Sequence, residues 1–91
     1  MKYRKLGRCN GLKVSEIALG CEGFIGKTQA EFKEMLDKAL ELGINFIDMY
    51  TPNPEFRDNL GIALEGRREE MVLQGHICSV WEDGQYLRTR D

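Results

Sequence analysis

Asp48 closes the run Ile44-Asn45-Phe46-Ile47, apolar but for Asn45, and an unpaired carboxylate is a costly way to end a buried segment. The cost is offset when the group works as an acid–base residue or as a metal ligand. Two other ionisable groups stand at comparable places: Glu22 after Leu19-Gly20-Cys21, and His76 after Met71-Val72-Leu73-Gln74-Gly75. His76 is the single histidine of the chain. Its unperturbed pKa of about 6.5 suits proton exchange near neutral pH. Tyr50 lies two residues past Asp48, and on an extended backbone such residues point to the same side. Each has a plainer reading as well. A strand-end Asp commonly caps a loop, a lone His is commonly structural, Glu22 in a Gly-rich loop is commonly solvated, and Tyr50 would pack over its loop. Carboxylates with an imidazole are also metal-ligand types, but no tight spacing gathers them, so no metal is expected.

The elements that must position these groups alternate in type. Residues 2–7 and 12–15 are β-prone pieces joined across Cys9-Asn10-Gly11, and Asn-Gly is a strong hairpin signal. Ile17-Ala18-Leu19, ended by Gly20, reads as a short buried strand. Thr28-Gln29-Ala30-Glu31 has capping-box spacing, and Phe32, Met35, Leu36, Ala39 and Leu40 follow as one helical stripe. The spacing predicts a helix over about 28–42, closed by Gly43. Residues 44–48 form the next strand. Asn53-Pro54 opens a second helix with Phe56, Leu60, Ala63 and Leu64 inward, ended by Gly66. Met71-Val72-Leu73 begins a third strand that ends near His76. Residues 77–91 show no sustained period and are expected to be loop.

The order is therefore hairpin (1–15), then βαβαβ (16–76), then loop (77–91), an α/β class with a parallel sheet. In such sheets chemistry gathers at the carboxyl ends of the strands, where Gly20-Cys21-Glu22, Asp48 and His76 all fall. Three strands are few for an independent fold, because both outer strands lack a neighbour.

Composition narrows the function classes. The chain has 91 residues, 42% of them apolar and 31% charged, with a net charge of −2. That is ordinary for a globular domain. Arg67-Arg68 runs straight into Glu69-Glu70, so no basic face points to nucleic acid. The three cysteines lack Cys-x-x-Cys spacing, which argues against a zinc site or a disulfide framework. No run approaches the roughly 18 apolar residues of a membrane span, and no signal peptide is evident. A reducing cytoplasm is the expected location.

The segments KYRKLGR, LKVSEIALGC, ALELGINFID and GIALEGRREEMVLQ together resemble the N-terminal third of an aldo-keto reductase. The likeness runs without obvious gaps to about residue 76. It implies the N-terminal part of a (β/α)8 TIM barrel: a β-hairpin plus about three parallel strands and two helices. A complete barrel needs about 250 residues. It further implies NADP(H) as cofactor and a small carbonyl or alcohol as substrate. The family's catalytic set is Asp, Tyr, Lys and His. Asp48 matches the aspartate; Asn53 stands where the tyrosine is expected, and His76 where the lysine is expected. An amide cannot act as a general acid near neutral pH. Tyr50, with His76 behind it, is the candidate substitute, giving Asp48, His76 and Tyr50 as catalytic candidates. The first-strand loop of the family borders the nicotinamide, which places Gly20, Cys21 and Glu22, with Asp48, as cofactor-binding candidates. Glu22 stands where similar sequences commonly have a hydrophobic residue, and its charge would favour the oxidised, cationic ring. The 91-residue chain alone is expected to be inactive and to self-associate. The competing reading is a non-catalytic barrel relative that serves as a binding or scaffold domain.

Overall fold

The structure, a computed structural model, describes residues 1–8 and 11–90. Strands β1 (Tyr3–Lys5) and β2 (Lys13–Ser15) pair antiparallel, with Arg4 opposite Val14. The Cys9-Asn10 part of the expected turn lies outside the described residues. This hairpin is tied to the rest of the fold through Asn45. The Asn45 Oδ1 accepts from the Ser15 amide at 2.7 Å, and its Nδ2 donates to the Lys13 carbonyl at 3.0 Å. Tyr3 adds a hydrogen bond from its hydroxyl to the Gly43 carbonyl, 2.6 Å.

Strands β3 (Leu19–Gly20), β4 (Phe46–Met49) and β5 (Val72–Gly75) form a parallel sheet in that order. Between them run helices α1 (Gln29–Glu41) and α2 (Pro54–Ala63). Both ends of α1 are closed as its sequence predicts. Thr28 and Glu31 make the reciprocal capping box, at 3.2 and 3.0 Å. At the other end the Ile44 amide donates to Ala39 O and the Gly43 amide to Leu40 O, with Gly43 at φ +87°. That pairing needs a left-handed residue, which glycine supplies without a Cβ penalty. Asn53 caps α2, accepting from the amides of Glu55 and Phe56.

The helices and the sheet close on one apolar core. Ile47 and Leu36 are fully buried, and Phe24, Phe32 and Phe56 meet ring to ring at 5.0–6.3 Å between centroids. Burying each such ring contributes roughly 2–3 kcal/mol. Arg67 and Asp37 join the end of α2 to α1 through an ion pair at 2.5 Å.

Two expectations need correction. Ile17-Ala18-Leu19 does not form a buried strand: β3 is confined to Leu19–Gly20, and Ile17 is 59% exposed. With a neighbour on only one edge, little holds the segment extended upstream of Leu19. Residues 77–91 are not a loop throughout, because β6 (Ser79–Glu82) and β7 (Gln85–Arg88) form an antiparallel hairpin. Asp83 and Gly84 connect them at φ +51° and +75°. These are the two positive-φ positions of a tight hairpin turn, and Asp-Gly is one of the dipeptides that favour it. Among the described residues no helix is long and apolar enough to cross a membrane.

Candidate active site

Strand alternation decides which side chains reach the site. Leu19, Ile47 and Leu73 are in register across the sheet and face the helices, packing in or against the core. The next row, Gly20, Asp48 and Gln74, must therefore face the other way. Among the described residues no helix lies over that second face. Asp48 is thus aimed off the core by the register of β4, and Ile47 is the residue that fixes the register.

His76, one residue past β5, points its Nε2 at Asp48 Oδ1 across 2.6 Å. Gln74 Nε2 approaches the same oxygen at 3.5 Å. A carboxylate only accepts, so Nε2 carries the proton and a neutral ring leaves Nδ1 as an acceptor. The two side chains are 41% and 37% exposed. At that exposure the pair adds at most about 1 kcal/mol to stability. Its geometry suits proton handling better than structural support.

Beside this pair lies an open cleft of about 340 Å³ lined by Gly20, Cys21, Glu22, Gly23, Asp48 and Tyr50. Both Asp48 and Tyr50 line it, as their two-residue spacing predicts. Burial, and then the Asp48 charge, push the Cys21 thiol up to about 12. Cys21 is therefore a thiol at neutral pH and packs as part of the core. Burial first, and Glu22 next, raise the Tyr50 phenol above its ordinary value. Among the described residues the Tyr50 hydroxyl makes no hydrogen bond, so nothing joins it directly to His76.

Asn53 is fully engaged as the α2 cap and does not face this chemistry. Sequence reasoning missed Gln74, although its place two residues before His76 on a strand puts both on one side. It also missed Tyr86, whose ring meets that of Tyr50 at a tilt from β7, because the Asp-Gly signal of that hairpin went unread. Among the described residues no three His, Cys, Asp or Glu side chains converge as a metal site would require.

No protein-family model matches the chain. Over 86 residues it is 35% identical to an uncharacterized oxidoreductase of Bacillus subtilis, YqkF, spanning 92% of this chain and 28% of that protein. Two solved structures described as candidate aldo-keto reductases from Pseudomonas aeruginosa superpose on it with TM-scores of 0.78 and 0.77. Each is 32% identical over 94% of this chain. The chain is aldo-keto-reductase-like. It spans about a third of the length of those relatives, 34% and 35% of the two solved chains. Within the matched length, Asp48 and His76 stand within hydrogen-bond distance of each other.

Proposed function

We propose that the protein is an oxidoreductase that exchanges hydride between NADP(H) and a small carbonyl or alcohol. On this reading residues 1–91 are the opening of a single (β/α)8 barrel domain, with the β1–β2 hairpin at its base. The observation that carries the reading is the Asp48–His76 contact. It forms between side chains at the carboxyl ends of two adjacent parallel strands, where an aldo-keto reductase sets its aspartate and lysine.

The cleft fits the ring end of a nicotinamide cofactor. No basic side chain lines it, so it suits an uncharged or cationic ring and not the phosphates. Gly20 and Gly23 let a planar ring approach the backbone, while Glu22 and Asp48 favour the cationic form. The cofactor, when bound, supplies or receives the hydride. Tyr50 gives its phenolic proton to the carbonyl oxygen during reduction and recovers it from solvent. Asp48 holds the His76 ring in one orientation, and His76 steadies the charge that develops on the oxygen. The two described cysteines, Cys21 and Cys78, are free thiols, which fits a cytoplasmic location.

On this reading residues 1–91 by themselves are inactive and self-associate through the open sheet edges and exposed apolar side chains. A monodisperse monomer by light scattering would refute that part. The catalytic reading is tested with the protein as its gene encodes it, by following NADPH consumption with a panel of carbonyls. Wild type should turn over, and Asp48→Asn should lose about 10²-fold or more in kcat while keeping its fold. Asn53 as a helix cap favours the second reading, a barrel relative without catalysis. Absence of turnover in wild type and Asp48→Asn alike would favour that second reading, and equal turnover in both would remove Asp48 from the catalytic set.

A further inference from the structure

The β6–β7 hairpin follows the three parallel strands in the chain, and one of its faces bears on the cleft. Ser79 pairs with Arg88 and Trp81 with Tyr86, and cross-strand partners share a face. From that face Tyr86 reaches Tyr50, with ring centroids 6.0 Å apart and planes inclined by 55°. This is the spacing of a favourable aromatic pair. The Tyr86 hydroxyl oxygen is 3.3 Å from Ser79 Oγ, which fixes the outer end of the ring. Tyr50 has no such anchor among the described residues: packing alone holds it, against the core and against Tyr86.

We propose that Tyr86 is a positioning residue for the cleft: its ring backs Tyr50 and holds that phenol beside Asp48, so that the β6–β7 hairpin is part of the site. The proposal rests on the reading of Tyr50 as the proton donor. It also gives the unanchored Tyr50 hydroxyl a reason, since a donor must leave that oxygen open to its substrate.

Charge supports the same arrangement. Hydrogen bonding from Ser79, and then from Arg88, lowers the Tyr86 phenol below its ordinary value. Burial raises Tyr50, and Glu22, Cys21 and Tyr86 raise it further. The remaining ionisable groups at the cleft are Asp48 and, in contact with it, His76. Tyr86 therefore ionises first, and its charge then opposes ionisation of Tyr50. Tyr50 stays protonated to higher pH, which is the state a donor needs. Neighbouring groups whose environments push their pKa values apart commonly divide acid and base roles in this way.

The test is a tyrosine-ring NMR titration of the wild-type chain, Tyr50→Phe and Tyr86→Phe. The phenylalanine variants keep the ring and remove only the hydroxyl. The expected result is that Tyr50 titrates after Tyr86 in wild type, and at lower pH once Tyr86 is Phe. A Tyr50 midpoint that does not move in Tyr86→Phe, or a Tyr86 that titrates last, would overturn the proposal. In the turnover assay, Tyr86→Ala should raise KM severalfold. Tyr86→Phe should leave KM unchanged and move the alkaline limb of kcat to lower pH. A wild type without turnover would defeat the oxidoreductase reading, while a Tyr50 ring signal that keeps its shift in Tyr86→Ala would by itself overturn the positioning by Tyr86.

Discussion

Asp48 earns its place through strand register. Ile47 must face the helices, so its neighbour must face away, and among the described residues the side chains that hydrogen-bond it are Gln74 on the adjacent strand and His76 just past its end. Much of this was legible in the sequence. An apolar run ending on a carboxylate marks the position, and a lone histidine at the next strand end marks its partner. The distance between them was not legible, because it depends on the pairing of β4 with β5, which no local pattern encodes. Cys21 also lines the cleft, and its burial, which the sequence did not reveal, keeps its sulfur a thiol. With its thiol pushed up to about 12, Cys21 should resist alkylation in the folded protein at pH 8, while exposed Cys78 reacts. Peptide mass mapping after a brief iodoacetamide pulse reads this directly. Rapid labelling of Cys21 would mean that the first-strand loop opens in solution.

At the scale of elements, the helices were the most legible because their ends are written as short motifs. Thr28 with Glu31, and Asn53 before Pro54, each satisfy amides that the helix leaves unpaired. Removing the first of these by Thr28→Ala should cost about 1 kcal/mol, seen as a lower unfolding midpoint in urea. The same element sets a pH dependence. The Thr28 amide and hydroxyl hold the Glu31 carboxyl below its ordinary value, and Lys33 and then Arg67 do the same for Asp37. Both carboxyls are thus lowered on folding. Their contribution is complete above their unfolded pKa values, and it is lost as pH falls below about 4 through the lowered folded ones. Helicity followed by circular dichroism should fall over that range. The fall should be shallower in Glu31→Gln with Asp37→Asn, and an identical profile in that variant would show that these groups do not govern it. The β6–β7 hairpin was the element least legible. Its strands are short and mixed in polarity, so the turn residues Asp83-Gly84 were the only strong local sign. Ile17 was misread for a different reason: its apolar side chain suggests burial, yet nothing in the described structure covers it.

The whole molecule shows the same economy at its boundaries. One face of the three-stranded sheet is sealed by α1 and α2, and the other carries Asp48, Gln74 and half-buried Phe46 and Val72 without a covering layer. Both β3 and β5 have a free edge in this sheet. Parallel sheets are stable when both faces are covered. The uncovered face is the one a barrel would turn inward, and the superposition on aldo-keto-reductase structures three times as long is consistent with that closure. The Asp48–His76 pair stands at the carboxyl ends of β4 and β5, the rim to which later strands would bring further groups if the proposed barrel closes. The most direct test of this account is the reading frame of the gene past codon 91. The account predicts about five further βα units, with a histidine at the end of the fourth barrel strand. A stop codon directly after Asp91 would contradict it: the sheet would have to be completed by copies of itself, and the likeness to oxidoreductases would record ancestry and not activity.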